Sequence, residues 1–501
     1  MRSLIRSSWF QRTRLTQVTM RSKSYIAEGI TKKPNLDILL NAYQGQINKK
    51  ELFCLNKLEE EWSKTQPLKD KVILVNVHMT LITLTMIRIL LKGGAIVETT
   101  ASPELVRHEN AIQALKEAGI CFHDEGLPED KRRGFYNAIY DCGAQMLRKK
   151  VTPKDGVIEL THTDPKLYDN LSYPVITVDS SKTKEIETGF GTGDSLVRLI
   201  NYLSRQSIAA TVMHFAGELN TLGKTFLEKN SHSNMMHLNM YLAMVSSVNI
   251  FQHNQFMIFG YGKVGKGIAN ALESAGTPKK NIFVVEVSTE AFMSIMENGY
   301  NGILNNHLES AKSLKEIKDH IPKMWAVITA TGVEGAVSRH FKEFDFNGVP
   351  LLINMGTSDE FGHYFSKKRI VNDKKPANFK LDFPTSVMYL DAIFRLFLEA
   401  IEQLFTDTQL HKGLNPVSSK LDRNVLSMWM REHGKNVWQH ALGKQETESL
   451  LRDLREHSAS PCEKLHELFH KFGVFDPPRG ITPLICLNTN QNNKSLAMLR
   501  A

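Results

Sequence analysis

Two doubly wound Rossmann-like α/β domains with parallel sheets, joined to a helical C-terminal region, are what this 501-residue sequence predicts. Three observations carry the prediction. The length exceeds that of one ordinary domain. Apolar runs of strand length alternate with stretches of helical spacing, in one series from Val72 and a second from Phe256, which is the pattern of parallel strands with crossover helices. The second series opens on a Gly-x-Gly-x-x-Gly turn set between a strand and a helix. Composition agrees: 42% hydrophobic and 23% charged residues are close to globular averages and exclude collagen-like, coiled-coil and wholly disordered chains.

Residues 1–32 are Ser-rich and carry Arg2, Arg6, Arg12, Arg14, Arg21 and Lys23 with no acid before Glu28. A disordered basic N-terminus is the preferred reading, with a cytoplasmic protein; a presequence for the mitochondrial matrix is the alternative. Residues 33–204 form the first, substrate-type α/β domain, with strands expected at Val72–Val77, Ala95–Val97, Ile120–Phe122, Tyr136–Tyr140, Val157–Leu160 and Val175–Val178. Residues 205–251, with Met235, Met236, Met240 and Met244 at helical spacing, read as a helical insertion or connector. Residues 252–376 form the second domain, with strands near Phe256–Phe259, Ile282–Val287, Trp325–Thr329 and Pro350–Ile353, and residues 377–501 follow as helices, the longest over Thr385–Phe405.

The net charge of +9 is scattered through helical segments with no basic stripe or interleaved aromatics, so no nucleic-acid partner is expected. Cys54, Cys121, Cys142, Cys462 and Cys486 are widely spaced, with no Cys-x-x-Cys pair, which argues against a disulfide framework or a zinc cluster and for a reducing compartment. The most apolar window, Val72–Leu91, contains Asn76, His78 and Arg88 and reads as strand plus helix, so no membrane span is expected.

Phe256-Met-Ile-Phe259 leads directly into Gly260-Tyr-Gly262-Lys263-Val264-Gly265, after which Ile268, Ala269, Ala271 and Leu272 outline an amphipathic helix. Gly260 permits the tight turn, Gly262 clears the approach of a pyrophosphate, and Gly265 lets helix and strand pack closely, while the helix N-terminus favours the anion. The next strand ends in Glu286, a carboxylate that accepts hydrogen bonds from ribose hydroxyls and repels the extra phosphate of NADP, so NAD is the cofactor expected. A Rossmann-like turn that has lost its ligand is the alternative. Gly260–Lys266 also matches the start of a P-loop, but Gly267 replaces the Ser or Thr that would hold magnesium.

Several segments together resemble the S-adenosylhomocysteine hydrolase family. They are Gly260-Tyr-Gly-Lys-Val-Gly-Lys-Gly267, Val327-Ile-Thr-Ala-Thr331-Gly332, Ser338-Arg-His-Phe341 and Ile353-Asn354-Met-Gly356, with His78-Met-Thr80, Asp141-Cys-Gly143, Pro174–Asp179 and Phe190–Leu196 upstream. The patches run in the family's order over Lys71–Gln403. The resemblance implies transient oxidation of a ribosyl 3′-hydroxyl by bound NAD, elimination and hydration at the neighbouring carbons, and return of the hydride. It also implies a homo-oligomer. On this resemblance His78, Asp141, Lys182, Lys184 and Glu187 are the catalytic candidates, with Thr80 and Glu159 on the substrate. Thr161, Thr163, Gly260, Gly262, Lys263, Val264, Gly265, Glu286, Thr331, Gly332 and Asn354 are on the cofactor.

Other positions depart from the family. The catalytic lysine falls on Thr183 with Lys182 and Lys184 on either side, the following aspartate is Glu187, the asparagine Thr188 and the cysteine Thr192. The catalytic glutamate falls on Leu160, with Glu159 one place early, and Thr357 and Phe383 stand where the family has histidines. The C-terminal Lys-x-x-x-Tyr of the family has no counterpart. The expectation is an adenosylhomocysteinase-like NAD enzyme with altered specificity, acting on a nucleoside or another small secondary alcohol; a catalytically degenerate NAD-binding regulator is the alternative. A remote third reading is a zinc peptidase from His466-Glu467-Leu-Phe-His470, but those histidines alternate with Leu465, Leu468 and Phe469 as in a common amphipathic helix, so no metal is expected.

Overall fold

The computed structural model describes residues 33–161, 164–204, 250–305 and 311–433. The described residues build two wholly parallel sheets. In the first, β1 (Val72–Asn76), β2 (Ile96–Thr100) and β3 (Cys121–His123) run outward one way, and β4 (Ala138–Asp141), β5 (Gly156–Glu159) and β6 (Pro174–Thr177) the other. The order therefore reverses between β1 and β4. In the second, β7 (Phe256–Phe259) is central, with β8 (Ile282–Glu286) and β9 (Asn301–Leu304) on one side and β10 (Ala326–Thr329) and β11 (Leu351–Asn354) on the other, in the order β11-β10-β7-β8-β9. Such reversal points open a crevice at the carboxyl ends of the strands, where α/β proteins bind ligands.

The strands are continuous apolar runs because both sheet faces are covered by helices: β1, β4, β7 and β10 are buried at every residue. The helix Leu81–Lys92, buried over Leu81–Leu90, and the 20-residue helix Val387–Thr406 pack in the first domain's core. The second domain divides its core between two apolar clusters, one containing Phe256, Ile258 and Ile328, the other Met257, Val327 and Leu352, as the pleat sends successive side chains to opposite faces.

The segment from 377 onward differs from the helical region expected. After the helix Val387–Thr406 the chain forms β12 (Gly413–Pro416), which pairs in parallel with β6 and completes a seven-stranded first sheet in the order β12-β6-β5-β4-β1-β2-β3. Two buried acids tie this segment to the first domain. Asp391 accepts hydrogen bonds from the N–H groups of Cys54 (2.8 Å) and Leu55 (2.9 Å) at the start of the helix Phe53–Thr65, donors with no partner inside that helix. Asp422 likewise accepts from Lys182 N (2.8 Å) and from Thr183 N (3.0 Å). Residues 205–249, the expected insertion, and the His466–His470 helix lie outside the described residues. Among the described residues no helix is long and apolar enough to cross a membrane.

Asp391 is 0% exposed, so Asp391→Ala leaves two enclosed N–H donors without an acceptor. A loss of roughly 2–5 kcal/mol in unfolding free energy is expected, from about 1–3 kcal/mol per orphaned donor, as measured by denaturant unfolding of the full chain.

Candidate functional site

The glycine loop follows β7 at the reversal point of the second sheet. Gly260 adopts φ +95°, a conformation that L side chains rarely take, and a Cβ there would lie 2.6 Å from Ala330 O. On Gly265 it would lie 2.0 Å from Gly260 O, so the helix Lys263–Ser274 sits directly on the turn. At Gly262 a Cβ would meet nothing within 4 Å, which leaves open the space a diphosphate needs beside the first N–H groups of the helix. Lys263 is exposed and Val264 half-buried on that first turn. Glu286 reaches back to the loop: Oε2 accepts from Tyr261 N at 2.6 Å, and Oε1 from Val287 N (2.7 Å) and Ser288 N (3.0 Å). Its carboxylate thus stands beside the turn, where a ribose would lie.

On the other flank, Thr331 and Gly332 follow β10 next to Gly260, and their N–H groups donate to Glu360 at 2.8 and 2.7 Å. Glu360 is fully enclosed, and burial pushes its carboxyl up in spite of these two amides. Nothing in the sequence pattern marked this residue. Asn354 is also fully enclosed, donating to Lys374 O (2.6 Å), Ser358 O (2.8 Å) and Gly356 O (3.3 Å), so it braces the loop after β11. The expected cofactor contact at Asn354 is corrected accordingly: its amide is spent on backbone carbonyls.

The first domain carries a pocket of about 70 Å³, lined on its polar side by His78, Thr80, Thr83, Lys184 and Glu187, with an apolar wall that includes Leu160, Phe379 and Phe394. His78 follows β1 by two residues. Its Nδ1 accepts from Val106 N at 3.0 Å, which leaves Nε2 to carry the proton of the neutral ring, and Phe379 packs on it at 4.3 Å between centroids. Burial, then the Lys184 ammonium and His108, push the His78 pKa down to about 3. Thr80 precedes the helix Leu81–Lys92, with its hydroxyl 3.2 Å from that of Thr83.

Lys184, not Lys182, reaches the pocket. Its Nζ lies 2.7 Å from Glu187 Oε2 and donates to Thr161 Oγ1 at 3.1 Å. Burial works to discharge the ammonium, and the Glu187 and Asp179 carboxylates overcome that and hold its pKa above the ordinary lysine value. The Lys182 expectation is corrected: that side chain is 40% exposed and pairs with Glu185 at 3.0 Å, while Thr183 turns its hydroxyl to Asp422 at 2.6 Å. A π-helical turn, Ile186–Gly191, follows, a wide winding often found at functional sites.

Asp141 and Glu159 also need correction, because neither lines the pocket. Asp141 accepts from Asn76 Nδ2 (2.7 Å), Cys142 N (2.9 Å) and Met146 N (2.8 Å) at the junction of β1 and β4. Glu159, its partner in the β4–β5 register, accepts from Gly143 N, Ala144 N, Thr161 N and the Tyr168 hydroxyl. Burial raises both carboxyls, and the Asp141 charge raises Glu159 further. The reason for the misplacement is strand parity: Leu160 lines the pocket, and the preceding side chain points to the other face. Thr163 lies outside the described residues.

Pocket and glycine loop are joined by close backbone packing at Gly267. A Cβ on Gly267 would lie 2.0 Å from Gly189 O, and one on Gly193 would lie 2.3 Å from Gly267 O. The π-helical turn that follows Lys184 and contains Glu187 therefore rests backbone to backbone on the helix Lys263–Ser274.

The model of the TrkA-N domain matches residues 256–340. Over 179 residues the chain is 29% identical to the adenosylhomocysteinase of Thermotoga maritima, a stretch that covers 30% of this chain and 44% of that protein. The chain thus matches less than half the length of this curated relative. Among solved structures it is similar to a dipicolinate synthase chain from Bacillus halodurans at TM-score 0.34 and 10% identity, over 67% of this chain and 98% of that one. It is likewise similar to the pyruvate reductase of Chlamydomonas reinhardtii at TM-score 0.34 and 12% identity, over 69% and 99%.

Two outcomes follow from this geometry. Gly267→Ala should force the two domains apart at Gly189 and lower the melting temperature of the full chain by several degrees, whereas alanine at the open position Gly262 should leave it within about a degree. His78, whose folded pKa lies below its ordinary 6.5, binds fewer protons folded than unfolded as pH falls from about 6.5 towards 3. It therefore removes stability in that window and none above it. His78→Asn, which keeps an acceptor for Val106 N, should flatten the acid limb of a melting-temperature profile, and the wild-type His78 ring should show no NMR titration between pH 5 and 8.

Proposed function

We propose that the chain is an NAD-dependent enzyme of the adenosylhomocysteinase kind that oxidises a secondary hydroxyl of a small substrate, a nucleoside or a simpler alcohol, in the pocket of the first domain. The observation that carries this reading is the ion pair of buried Lys184 with half-buried Glu187 on the pocket wall, on the element whose continuation sits on the glycine-loop helix. Glu286 beside the turn favours NAD over NADP, since a 2′-phosphate would meet a carboxylate. The residues of the loop fit the dinucleotide, and its nicotinamide, when bound, supplies the hydride acceptor.

The chain's own residues handle the proton and the charge. The Lys184 ammonium, kept charged by its acidic neighbours, stabilises negative charge that grows on the substrate oxygen. Glu187 takes up the hydroxyl proton, and the Nε2–H of neutral His78 offers a second donor to the oxygen. A pocket of about 70 Å³ lies below the ~300–1,000 Å³ of common ligand sites, so a nucleoside enters only if Phe379 and Phe394 draw back. The second reading, an NAD-binding regulator without turnover, is favoured by Leu160, which puts a hydrocarbon where the resemblance implies a glutamate.

One experiment separates the two. Protein purified without added cofactor is expected to retain NAD and to develop the near-ultraviolet absorbance of reduced nicotinamide when given a panel of nucleosides and small secondary alcohols. Lys184→Met should retain the NAD and lose about 10²–10⁴-fold in the rate of that absorbance change, the range for a group acting directly on proton or charge transfer. Bound NAD that stays oxidised with every compound would favour the regulator, and a protein with no NAD and no thermal protection by it would refute both.

A further inference from the structure

The β2–β3 edge of the first sheet gathers a second set of chemically matched side chains. The parallel register sets Glu98 opposite Cys121, and the pleat returns His123, two residues on, to the same face as Cys121. One carboxylate oxygen, the Cys121 sulfur and one His123 nitrogen lie within 4.8 Å of one another. His123 Nε2 is 2.7 Å from Glu98 Oε2 and 3.5 Å from Cys121 Sγ. Glu98 is held in place from behind: Lys131 Nζ donates to its Oε1 at 2.6 Å and the buried Tyr136 hydroxyl to its Oε2 at 2.8 Å. Glu98 is buried and Cys121 is exposed, so the cluster has a fixed floor and an open mouth.

A thiolate, an imidazole and a carboxylate are the ligand types of zinc. In a tetrahedral site with Zn–S of about 2.3 Å and Zn–N or Zn–O of about 2.0 Å, sulfur and nitrogen stand about 3.5 Å apart and nitrogen and oxygen about 3.3 Å. The Cys121–His123 separation of 3.5 Å already meets the first figure. The His123–Glu98 separation of 2.7 Å is that of a bridging proton and must widen by about 0.6 Å once the proton has left.

We propose that Glu98, Cys121 and His123 form a three-ligand site for a zinc-class divalent ion, with the fourth position open to solvent. On binding, the Cys121 S–H proton and the Nε2 proton of the His123 imidazolium pass to water while Nδ1 keeps its own, so that the ring binds as neutral imidazole, and the sulfur and nitrogen lone pairs freed in this way bond the ion together with Glu98 Oε2; nothing is oxidised or reduced. Lys131 and Tyr136 act as positioning residues that fix the carboxylate. The site is independent of the dinucleotide reading.

The test uses the full chain, freed of metal by chelation and dialysed, then titrated with Zn²⁺ and, separately, with Co²⁺. One tightly held equivalent is expected, with a thiolate-to-cobalt charge-transfer band in the near ultraviolet. Cys121→Ser should abolish the band, and His123→Asn should weaken zinc binding by roughly tenfold or more, with far-ultraviolet circular dichroism unchanged in both. Because His466 and His470 offer another pair of imidazoles, the double variant His466→Ala/His470→Ala must keep both the equivalent and the band. No binding above the level of a control protein, binding retained in full by Cys121→Ser, or binding lost only with the His466 and His470 variant would overturn the proposal.

Discussion

The backbone contact between Gly267 and Gly189 is the constraint on which the arrangement of the two domains rests. At that point the helix of the glycine loop and the π-helical turn of the first domain approach so closely that a Cβ on Gly267 would lie 2.0 Å from Gly189 O. Lys184 lies just before that turn and Glu187 within it, so the place of the ammonium relative to the glycine loop follows from a contact between main chains. The same contact explains why a P-loop cannot be built here: the Ser or Thr that would hold magnesium falls at 267, where a Cβ would lie 2.0 Å from a carbonyl oxygen.

A second regularity separates the acids that hold the fold from the acid that faces the pocket. Asp141, Glu159, Glu360, Asp391 and Asp422 are all buried, and each spends its oxygens on two or more backbone N–H groups at strand ends or helix starts. A carboxylate used in this way fixes a loop, and removing it orphans the donors. Glu187 differs, for its partner is an ammonium and it lines the cavity. Burial and perturbed titration therefore do not by themselves mark chemistry in this chain; what a carboxylate is bonded to does.

Much of the fold was legible because the sequence obeys simple periods. Among the described residues, ten of the twelve strands coincide with the apolar runs read from the sequence to within about three residues, and the helix Val387–Thr406 falls where helical spacing put it. The two missed strands lack that signal. Asn301–Leu304 is short and contains an Asn and a Gly, and Gly413–Pro416 begins with Gly and ends with Pro. The latter is tolerated as an edge strand, where a proline costs little. In the site, the glycines were readable because each answers a local steric demand. Which of Lys182, Thr183 and Lys184 faces the pocket was not, because the answer depends on Asp422, more than two hundred residues away, which takes the N–H groups of 182 and 183 and turns the Thr183 hydroxyl towards itself.

The substituted residues bear on the chemistry in one direction. A sequence of oxidation, elimination and hydration needs groups for several separate proton transfers. The pocket offers one ammonium–carboxylate pair and a neutral imidazole; Leu160 makes part of the wall, and Thr357 is exposed at the surface. A compact ion pair among hydrocarbon side chains is suited to one event, the passage of a single proton while charge gathers on a single oxygen, because in such surroundings each fixed charge acts with little screening. Oxidation of a carbinol needs one event of that kind, the departure of the hydroxyl proton, before the alkoxide charge collapses into the carbonyl bond as the hydride leaves. Under the proposed reading, the groups present in the pocket fit an oxidation step better than an elimination and hydration, and Phe379 and Phe394 in its wall fit a substrate smaller than a full nucleoside.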